Sequence, residues 1–354
     1  MASAAILMAL ECRAQTSNLK SDEQVVFYPA CGWQSNDGKW WHVEIHGCVY
    51  ELEGRDLALA LLRKGLGLGD VEMTMAQRAV FAERVRLFMV DNQRGKQVVI
   101  RLGPQAQVLN STGPNGHFTA TLRLSLEEVH ELKVSAGGTF EFEAIMPPGD
   151  GRQFKGLIRF YPPEGWFVIS DIDDTIKITE VNDSSATMRN TFLEPFRPVP
   201  GMVELYREWE RAKAGFFYVS ASPWQLYLPL SEFVRSNGFP DGNFQMKVFR
   251  LKDGSMTSIL EDPEKYKPGV IEPILKRFPN RRFVLVGDSG ERDPEIYAAL
   301  ARKYPQQVAR ILIRNVTRQN AGAPRYEKTF GGLPRSLWEV FEDPAAAKQI
   351  RGLN

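Results

Sequence analysis

The sequence predicts an α/β protein in which a smaller, mostly antiparallel β domain precedes a domain built on a parallel sheet. Residues 24–161 carry short alternating or apolar segments separated by turn residues, a pattern that is typical of antiparallel strands. From Trp166 onward, apolar strand-like segments alternate with helical segments. Repeated strand–helix units favour a parallel sheet covered by helices on both faces.

Size and composition are compatible with two folded domains and exclude some partners. The chain has 354 residues, of which 43% are hydrophobic and 11% aromatic. Because 44 Lys and Arg nearly cancel 43 Asp and Glu, the net charge gives no long-range attraction to nucleic acid and no polybasic membrane anchor. No segment approaches the roughly 18 consecutive apolar residues of a membrane-spanning helix, so we expect any contact with lipid to be peripheral.

The N-terminal segment, residues 1–23, has two interpretations. An apolar run from Ala4 to Leu10 is followed by small residues that are spaced for signal cleavage after Ala14, but no Lys or Arg precedes the run. Removal of residues 1–14 would place the protein in the periplasm or outside the cell, whereas an idle N-terminus is compatible with the cytoplasm. Cys31 and Cys48 leave this open, since they are either a pair in an oxidising compartment or buried free thiols.

The β-rich accessory domain is predicted over residues 24–161. Its predicted strands are Gln24–Tyr28, Trp40–Tyr50, Gln97–Leu102, His117–Leu124, Thr139–Ile145 and Phe154–Tyr161. One helix interrupts them, where Thr74 and Gln77 form a capping-box pattern before apolar residues that recur on one helical face. Pro162-Pro163-Glu164-Gly165 marks the domain boundary, because prolines end both strands and helices.

A parallel-sheet domain is predicted over residues 165–320, followed by a C-terminal extension with a helix over residues 321–354. The predicted strands are Trp166–Ser170, Gly215–Ser220, Phe244–Leu251, Phe283–Val286 and Val308–Val316. The predicted helices are Met202–Lys213, Trp224–Asn237, Pro268–Phe278 and Pro294–Lys303. Ligand sites of such sheets lie beyond the carboxyl ends of the strands, so we expect functional side chains there.

The first parallel strand ends in a cluster of carboxylates, Asp171, Asp173 and Asp174, followed by Thr175. So much negative charge is costly unless a cation neutralises it, which indicates a site for phosphate chemistry. In this interpretation Asp171 attacks phosphorus and gives an aspartyl-phosphate. Asp173 protonates the leaving alcohol and then activates water. The alternative is that these aspartates only cap the following turn.

Later strand ends supply residues that complete such a site. Thr175 and Ser220 are candidates for binding phosphate oxygens, and Lys267 is a candidate for neutralising them together with Asp171. Asp288 follows the fourth strand, and Mg²⁺ commonly uses one or two carboxylates plus substrate phosphate. We therefore expect Mg²⁺ to be bound by Asp171, Asp288 and the main-chain carbonyl of Asp173. Asp293 is either a further ligand, direct or through water, or the N-cap of a helix.

The order of these motifs, DxDxT, a strand-end Ser, Lys-Pro and GDxxxxD, resembles that of the haloacid dehalogenase superfamily of phosphohydrolases. Three segments resemble more narrowly the catalytic domain of phosphatidate phosphatases of the actin-patch-protein type, namely SDIDDTIKIT (170–179), YVSASPWQLY (218–227) and VGDSGERDPEIY (286–297). This resemblance implies a haloacid-dehalogenase-like, Rossmann-like sheet and magnesium-dependent hydrolysis of phosphatidate to diacylglycerol and phosphate. The β-rich half resembles the accessory region of bacterial members. Asp174 stands where lipin-type phosphatases carry Gly.

Only about 40 residues separate Thr175 from the second parallel strand, too few for a large cap domain. We therefore expect an open site with Glu180 to Pro200 as a flap. Three residues are candidates for substrate contact: Arg189 in the flap, Trp224 and Tyr227. Core packing is the alternative role for the two aromatic residues. Two other functions remain open: a phosphatase of a soluble phosphomonoester or phosphoprotein, and a non-catalytic lipid-binding protein of the same fold.

Overall fold

The computed structural model describes residues 16–52, 56–248 and 263–347, so the N-terminal segment of residues 1–14 lies outside the described residues. The strands in chain order are β1 (Glu23–Phe27), β2 (Ala30–Gln34), β3 (Trp40–Leu52), β4 (Val90–Asn92), β5 (Val99–Leu102), β6 (Gln105–Val108), β7 (His117–Ser125), β8 (Thr139–Ala144), β9 (Lys155–Tyr161), β10 (Gly165–Asp171), β11 (Gly215–Pro223), β12 (Asn243–Lys247), β13 (Arg281–Asp288), β14 (Val308–Arg314) and β15 (Trp338–Phe341). The helices are α1 (Asp56–Gly65), α2 (Met75–Val85), α3 (Leu126–Glu131), α4 (Ser184–Phe192), α5 (Met202–Arg211), α6 (Tyr227–Asn237), α7 (Pro263–Arg277), α8 (Asp293–Lys303) and α9 (Pro324–Phe330).

The chain divides into two compact units. The β unit contains residues 16–52 and 90–161, and the α/β unit contains residues 56–89 and 162–347. This division differs from the expected domain over residues 24–161, because α1 and α2 belong to the α/β unit. The capping box at Thr74 and Gln77 does begin α2, as the sequence predicts. The partners of α2, however, lie about 110 residues further along the chain, on and after α4.

The β unit is built on one nine-stranded, mostly antiparallel sheet, in agreement with the prediction. The 13-residue strand β3 pairs with β1, β2, β4 and β7, and β2 pairs with β9 in parallel. Alternating residues of these strands point into a common core that includes Val43, Ile45, Ile100, Phe142 and Ile158. The short strands β2, β4 and β6, of three to five residues, are absent from the predicted set.

Two of the three cysteines lie in the β unit as buried free thiols. Cys31 is on β2 and Cys48 on β3, where they face Glu44 and His117 in the strand pairings. The structure therefore supports free thiols over a disulfide between them. Cys12 lies outside the described residues.

The α/β unit is built on a six-stranded parallel sheet in the order β12-β11-β10-β13-β14-β15, which confirms the predicted fold class. The centre of the sheet is apolar, and Phe167, Val168 and Ile169 of β10 are fully buried. The C-terminal extension contains the predicted helix, α9, but also adds β15 to the sheet edge. Strand β12 ends at Lys247, and the predicted continuation to Leu251 lies outside the part of the chain that the structure describes.

The parallel register brings three strand ends together. Strand β10 lies between β11 and β13, with Asp171 paired to Val219 and Ser170 paired to Val286. The carboxyl ends of these three strands therefore meet at one edge of the sheet, where the sequence places its candidate catalytic residues. In the described ranges, no helix combines the length and apolar character needed to cross a bilayer.

Candidate active site

Asp171 is the last residue of β10 and is almost fully buried at the edge of the sheet. Its Oδ1 lies 2.8 Å from Lys267 Nζ, and its Oδ2 accepts a hydrogen bond from Thr175 Oγ1 at 2.9 Å. Both carboxylate oxygens are thus oriented by separate partners. A carboxylate held in this way has little freedom to rotate and is suited to an in-line reaction.

Lys267 is the buried cation of the site, and α7 positions it. Helix α7 begins at Pro263 rather than at the expected Pro268, which suits a proline because the first N–H groups of a helix have no intrahelical partner. Besides Asp171, Lys267 Nζ contacts Glu291 Oε2 at 2.8 Å and Asp293 Oδ1 at 2.5 Å. These contacts match the three N–H donors of an ammonium group.

The acid cluster around Lys267 carries more negative charge than one lysine can balance. Burial raises the pKa of Asp171 well above its usual range, and Asp293, Glu291 and Asp288 add to this while Lys267 opposes it. Burial alone would lower the pKa of Lys267, but Asp171, Asp293 and Glu291 outweigh burial and raise it. Lys267 is therefore charged, and its carboxylate neighbours share an excess of negative charge.

Asp288 lies at the end of β13 and begins the acid loop, which we define as residues 288–293. Its Oδ1 accepts hydrogen bonds from the backbone N–H of Gly290 at 2.6 Å and of Glu291 at 3.3 Å. Its Oδ2 is buried and has no hydrogen-bond partner among the described residues. Burial and the charge of Asp293 raise the pKa of Asp288 well above its usual value. An unpartnered buried carboxylate oxygen is costly, so this atom points to a ligand.

Asp293 is the first residue of α8 and closes the acid loop. Its Oδ2 accepts the backbone N–H of Asp288 at 3.2 Å while Oδ1 contacts Lys267, so of the two roles considered for Asp293 the N-cap is not formed. A Cβ atom on residue 287 would overlap the Asp293 side chain. Gly287 is therefore required for the close approach of α8 to the end of β13.

Asp173 lies two residues beyond β10 with a different environment from that of Asp171. Its Oδ1 contacts Lys177 Nζ at 2.8 Å, and its Oδ2 accepts hydrogen bonds from Ser220 Oγ at 3.0 Å and Ser222 Oγ at 3.2 Å. Burial would raise the pKa of Asp173, but Lys177 and the hydrogen bonds outweigh burial and lower it. The two neighbouring carboxylates thus have opposite pKa shifts, which is typical of groups with different catalytic roles.

Asp174 orients the loop between β10 and the flap. Its carboxylate accepts the backbone N–H groups of Thr179, Glu180 and Val181 at 2.7–2.9 Å. Its φ of 52° lies in the left-handed region, and its carbonyl accepts a hydrogen bond from Arg314 Nη1 at 2.6 Å. The side chain is therefore committed to backbone donors rather than to a ligand.

The predicted flap contains α4 and borders a cavity of about 370 Å³ beside Asp173. Met188 and Phe192 of α4 line this cavity, together with Leu226 after β11. Arg189 is exposed on the same helix. Trp224 and Tyr227 are buried and contact each other, and Tyr227 also packs edge-on against Phe244. Of the two roles considered for these aromatic residues, their burial and ring contacts favour core packing over substrate contact.

Several contact residues of the site were not predicted from the sequence. Glu291 lies inside the GDxxxxD motif, but the motif specifies only the glycine and the two aspartates. Lys177 and Ser222 lie within the segments quoted above. Lys177 follows Asp173 by four residues, and Ser222 follows Ser220 by two on β11, which are the local signals that point to them. Arg325 carried no signal, since it follows the motifs and donates to the carbonyls of Ser289 and Glu291 at 2.5 and 2.6 Å.

Comparison with known proteins shows which proteins the parallel-sheet domain resembles. Residues 166–315 match the family model described as phosphatidate phosphatase APP1, catalytic domain. The chain is 35% identical to phosphatidate phosphatase APP1 of Saccharomyces cerevisiae over 190 residues, which are 52% of this chain and 32% of that protein. It is 26% identical to an uncharacterized protein of Schizosaccharomyces pombe over 253 residues, which are 69% of this chain and 40% of that protein. The chain thus spans well under half the length of these curated relatives.

Among solved structures, D,D-heptose 1,7-bisphosphate phosphatase from Burkholderia thailandensis aligns with 15% identity and a TM-score of 0.28, covering 52% of this chain and 96% of that one. The sequence matches are more specific, because the family model includes the strand ends that carry Asp171, Ser220 and Asp288 as well as Lys267. Residues 166–315 of the chain are therefore similar in sequence to the catalytic domain of phosphatidate phosphatase APP1.

Proposed function

We propose that this protein is a magnesium-dependent phosphatidate phosphatase that releases phosphate and diacylglycerol through an aspartyl-phosphate on Asp171. One observation carries the proposal: in the domain that matches the APP1 catalytic-domain model, Asp171 is buried at a parallel strand end with Lys267 and Thr175 on its two oxygens. The family match supports the lipid phosphate as substrate. The geometry supports covalent phosphoryl transfer.

The acid cluster fits a divalent cation. The carboxylates of Asp171, Glu291 and Asp293 contact the single ammonium of Lys267, and burial raises the pKa of the fourth carboxylate, that of Asp288. Asp171, Glu291 and Asp293 offer carboxylate oxygens that lie within 4.8 Å of one another, and Asp288 Oδ2 is buried without a partner in the described structure. We propose Asp171, Asp288 and the Asp173 carbonyl as magnesium ligands, with Asp293 as a direct or water-mediated one. Bound magnesium would supply positive charge to the phosphate oxygens.

Asp171 performs the first step in this proposal. A bond forms between one Asp171 oxygen and phosphorus while the bond between phosphorus and the alcohol oxygen breaks. Lys267 offsets the negative charge of the attacking carboxylate and of the phosphate oxygens. We propose that the hydroxyls of Thr175 and Ser220 bind phosphate oxygens, since both are buried beside the reacting carboxylates.

Asp173 acts as the general acid and then as the general base in this proposal. The negative charge of an incoming phosphate raises the pKa of a nearby carboxyl, which allows Asp173 to enter the reaction protonated and to donate to the leaving alcohol oxygen. In the second step it accepts a proton from a water molecule that attacks phosphorus and restores Asp171. Lys177 stabilises the ionised form that this base step requires.

The proposal is tested by measuring phosphate release from phosphatidate in mixed micelles and from a panel of soluble phosphoesters, with Mg²⁺ and with EDTA. We expect phosphatidate to be the preferred substrate and EDTA to abolish release. Asp171→Asn should abolish turnover because it removes the nucleophile at nearly constant volume. Asp343→Asn is the matched control, since Asp343 is exposed and only caps a turn through Ala345 N.

The outcomes separate the alternatives. Faster turnover of sugar phosphates, nucleotides or a phosphopeptide than of phosphatidate would favour a phosphatase of soluble substrates. Binding to phosphatidate vesicles without phosphate release would favour the non-catalytic lipid-binding protein. Turnover retained by Asp171→Asn would overturn the mechanism.

A further inference from the structure

The cavity beside Asp173 has a mixed lining of which the larger part of the surface is apolar. We call its apolar wall the surface formed by Val181, Met188, Phe192, Pro223 and Leu226. Its polar lining consists of Asp173, Ser222, Glu291 and Arg292 and of the hydroxyl-bearing residues Thr179, Ser184, Thr187 and Thr191. A group attached to a phosphate at Asp171 would therefore meet mostly apolar surface in this cavity.

The apolar wall is held in place by a part of the chain outside the family match. Arg84 of α2 donates from Nη1 to the carbonyl of Thr191 at 2.6 Å, and its guanidinium stacks 3.4 Å from the centre of the Phe196 ring. Gln77 donates to Glu194 Oε1 at 2.8 Å. Phe88, just after α2, packs edge-on against the wall residue Phe192. Such contacts at the end of α4 make the wall a fixed surface rather than a free flap.

We infer that this cavity is the subsite for the leaving alcohol, and that its apolar wall binds the glycerol backbone and ester-proximal acyl carbons of a lipid phosphate. The inference rests on the proposed function and names the residues that select its substrate class. Met188, Phe192 and Leu226 determine specificity through apolar contact, while Arg84 is a positioning residue that fixes α4.

The size and chemistry of the cavity both limit what it binds. Its volume of about 370 Å³ lies near the lower end of the roughly 300–1,000 Å³ typical of small-molecule pockets, so the distal parts of two long acyl chains must remain outside. A sugar or nucleoside alcohol carries several hydroxyl groups, and those that meet the apolar wall lose water without gaining partners. The wall therefore selects against polyol leaving groups by desolvation rather than by size.

The test compares monomeric substrates that differ only in the alcohol, namely glycerol 3-phosphate and diacetyl, dibutanoyl and dioctanoyl phosphatidate. Each methylene that enters the wall should raise kcat/KM up to about fourfold, so dibutanoyl phosphatidate should exceed glycerol 3-phosphate at least tenfold. The gain should level off before dioctanoyl phosphatidate. Equal rates for glycerol 3-phosphate and dibutanoyl phosphatidate would overturn the inference, as would a fourfold gain per methylene that continues to dioctanoyl.

Met188→Gln keeps the length of the side chain and removes its apolar character. We expect it to lower kcat/KM for dibutanoyl phosphatidate at least threefold more than kcat/KM for glycerol 3-phosphate, which offers no acyl carbons to the wall. Met75→Gln is the matched control, because Met75 begins α2 and is 89% exposed. An equal loss on both substrates, or no loss on either, would show that Met188 does not select the leaving alcohol.

A binding measurement separates failure of the inference from failure of the proposed function. Calorimetric titration of the Asp171→Asn chain with dibutanoyl phosphatidate and with glycerol 3-phosphate requires no turnover. If the wild-type chain releases no phosphate but Asp171→Asn prefers the lipid at least tenfold, the subsite stands and the proposed activity fails. If soluble phosphates are hydrolysed and no binding preference exists, the subsite is wrong and the phosphatase assignment stands.

Discussion

Replacing Lys267 with Met tests whether one ammonium holds the acid cluster together. Its three contacts at 2.5–2.8 Å are each worth about 6 kcal/mol of gross attraction at an effective dielectric constant of about 20, before the cost of burying the charges is subtracted. Removing one member of a buried ion pair destabilises proteins by about 3–5 kcal/mol. We expect Lys267→Met to lower the free energy of unfolding by this amount at pH 7.5 without divalent cations.

The pH dependence of this loss has a defined sign. Burial and neighbouring carboxylates raise the pKa values of Asp171 and Glu291, and Lys267 opposes this rise. Without Lys267 these folded pKa values lie still further above the unfolded values, so the folded state binds more protons than the unfolded state. Stability contributed by such groups is present below the unfolded pKa of about 4 and is lost as the pH rises through the folded pKa. The difference between Lys267→Met and wild type should therefore be smaller at pH 5 than at pH 7.5, and Mg²⁺ should reduce it at pH 7.5.

Urea unfolding followed by tryptophan fluorescence measures these differences. Lys276→Met in the same helix is the control, because Lys276 lies 3.8 Å from Glu272, is 66% exposed and should contribute less than about 0.5 kcal/mol. A Lys267→Met chain within about 1 kcal/mol of wild type in EDTA at pH 7.5 would refute the argument, as would a loss that grows on acidification.

Three further predictions concern other described contacts. Arg325→Met removes the guanidinium that donates to two carbonyls of the acid loop. The Mg²⁺ concentration for half-maximal phosphate release should therefore rise at least threefold. Arg211→Met, on the exposed surface of α5, is the control and should leave this concentration unchanged. Asp174→Ala should lower the free energy of unfolding in urea by about 2–4 kcal/mol, because three backbone N–H groups lose their acceptor. Asp174→Gly should lose about 1 kcal/mol less, because Gly adopts the positive φ of this position without strain. Equal losses would contradict the strain expected from the positive φ. Burial lowers the pKa of His46 to about 3 and that of His117 to about 4. The stability that these histidines contribute is therefore present above pH 6.5 and should fall by about 1–2 kcal/mol per histidine between pH 7 and pH 5. A chain that carries both His46→Asn and His117→Asn should lose this pH dependence.

Local sequence predicted most of the parallel sheet, because each buried strand is a run of apolar residues that no helix pattern explains. The assignment of α1 and α2 could not be predicted in the same way. Their sequence neighbours, β3 and β4, pair with each other in the β unit. Arg84 contacts the Thr191 carbonyl and the Phe196 ring, which are more than 100 positions away, and no local pattern indicates such contacts.

The candidate site shows the same division between what motifs predict and what only the fold provides. The contact between Asp171 and Lys267 was predictable, since the order of the motifs along successive strand–helix units places both at one sheet edge. The opposite pKa shifts of Asp171 and Asp173 were not, because they depend on which carboxylate meets Lys177 and which meets the acid loop. The packing roles of Trp224 and Tyr227 likewise depend on burial, which a motif does not specify.

The excursion of residues 56–89 into the α/β unit affects how the nascent chain folds. Helix α2 leaves the ribosome before its partner helix α4 does. Arg84 of α2 and Thr191 of α4 are 107 positions apart. At about 5–20 residues per second, α2 waits roughly 5–20 s before that partner has been synthesised. The β unit can complete its sheet during this interval, since residues 90–161 are made first. A fragment that begins at Pro162 would lack α2 altogether, and the phenylalanine faces that Arg84 and Phe88 cover would meet water.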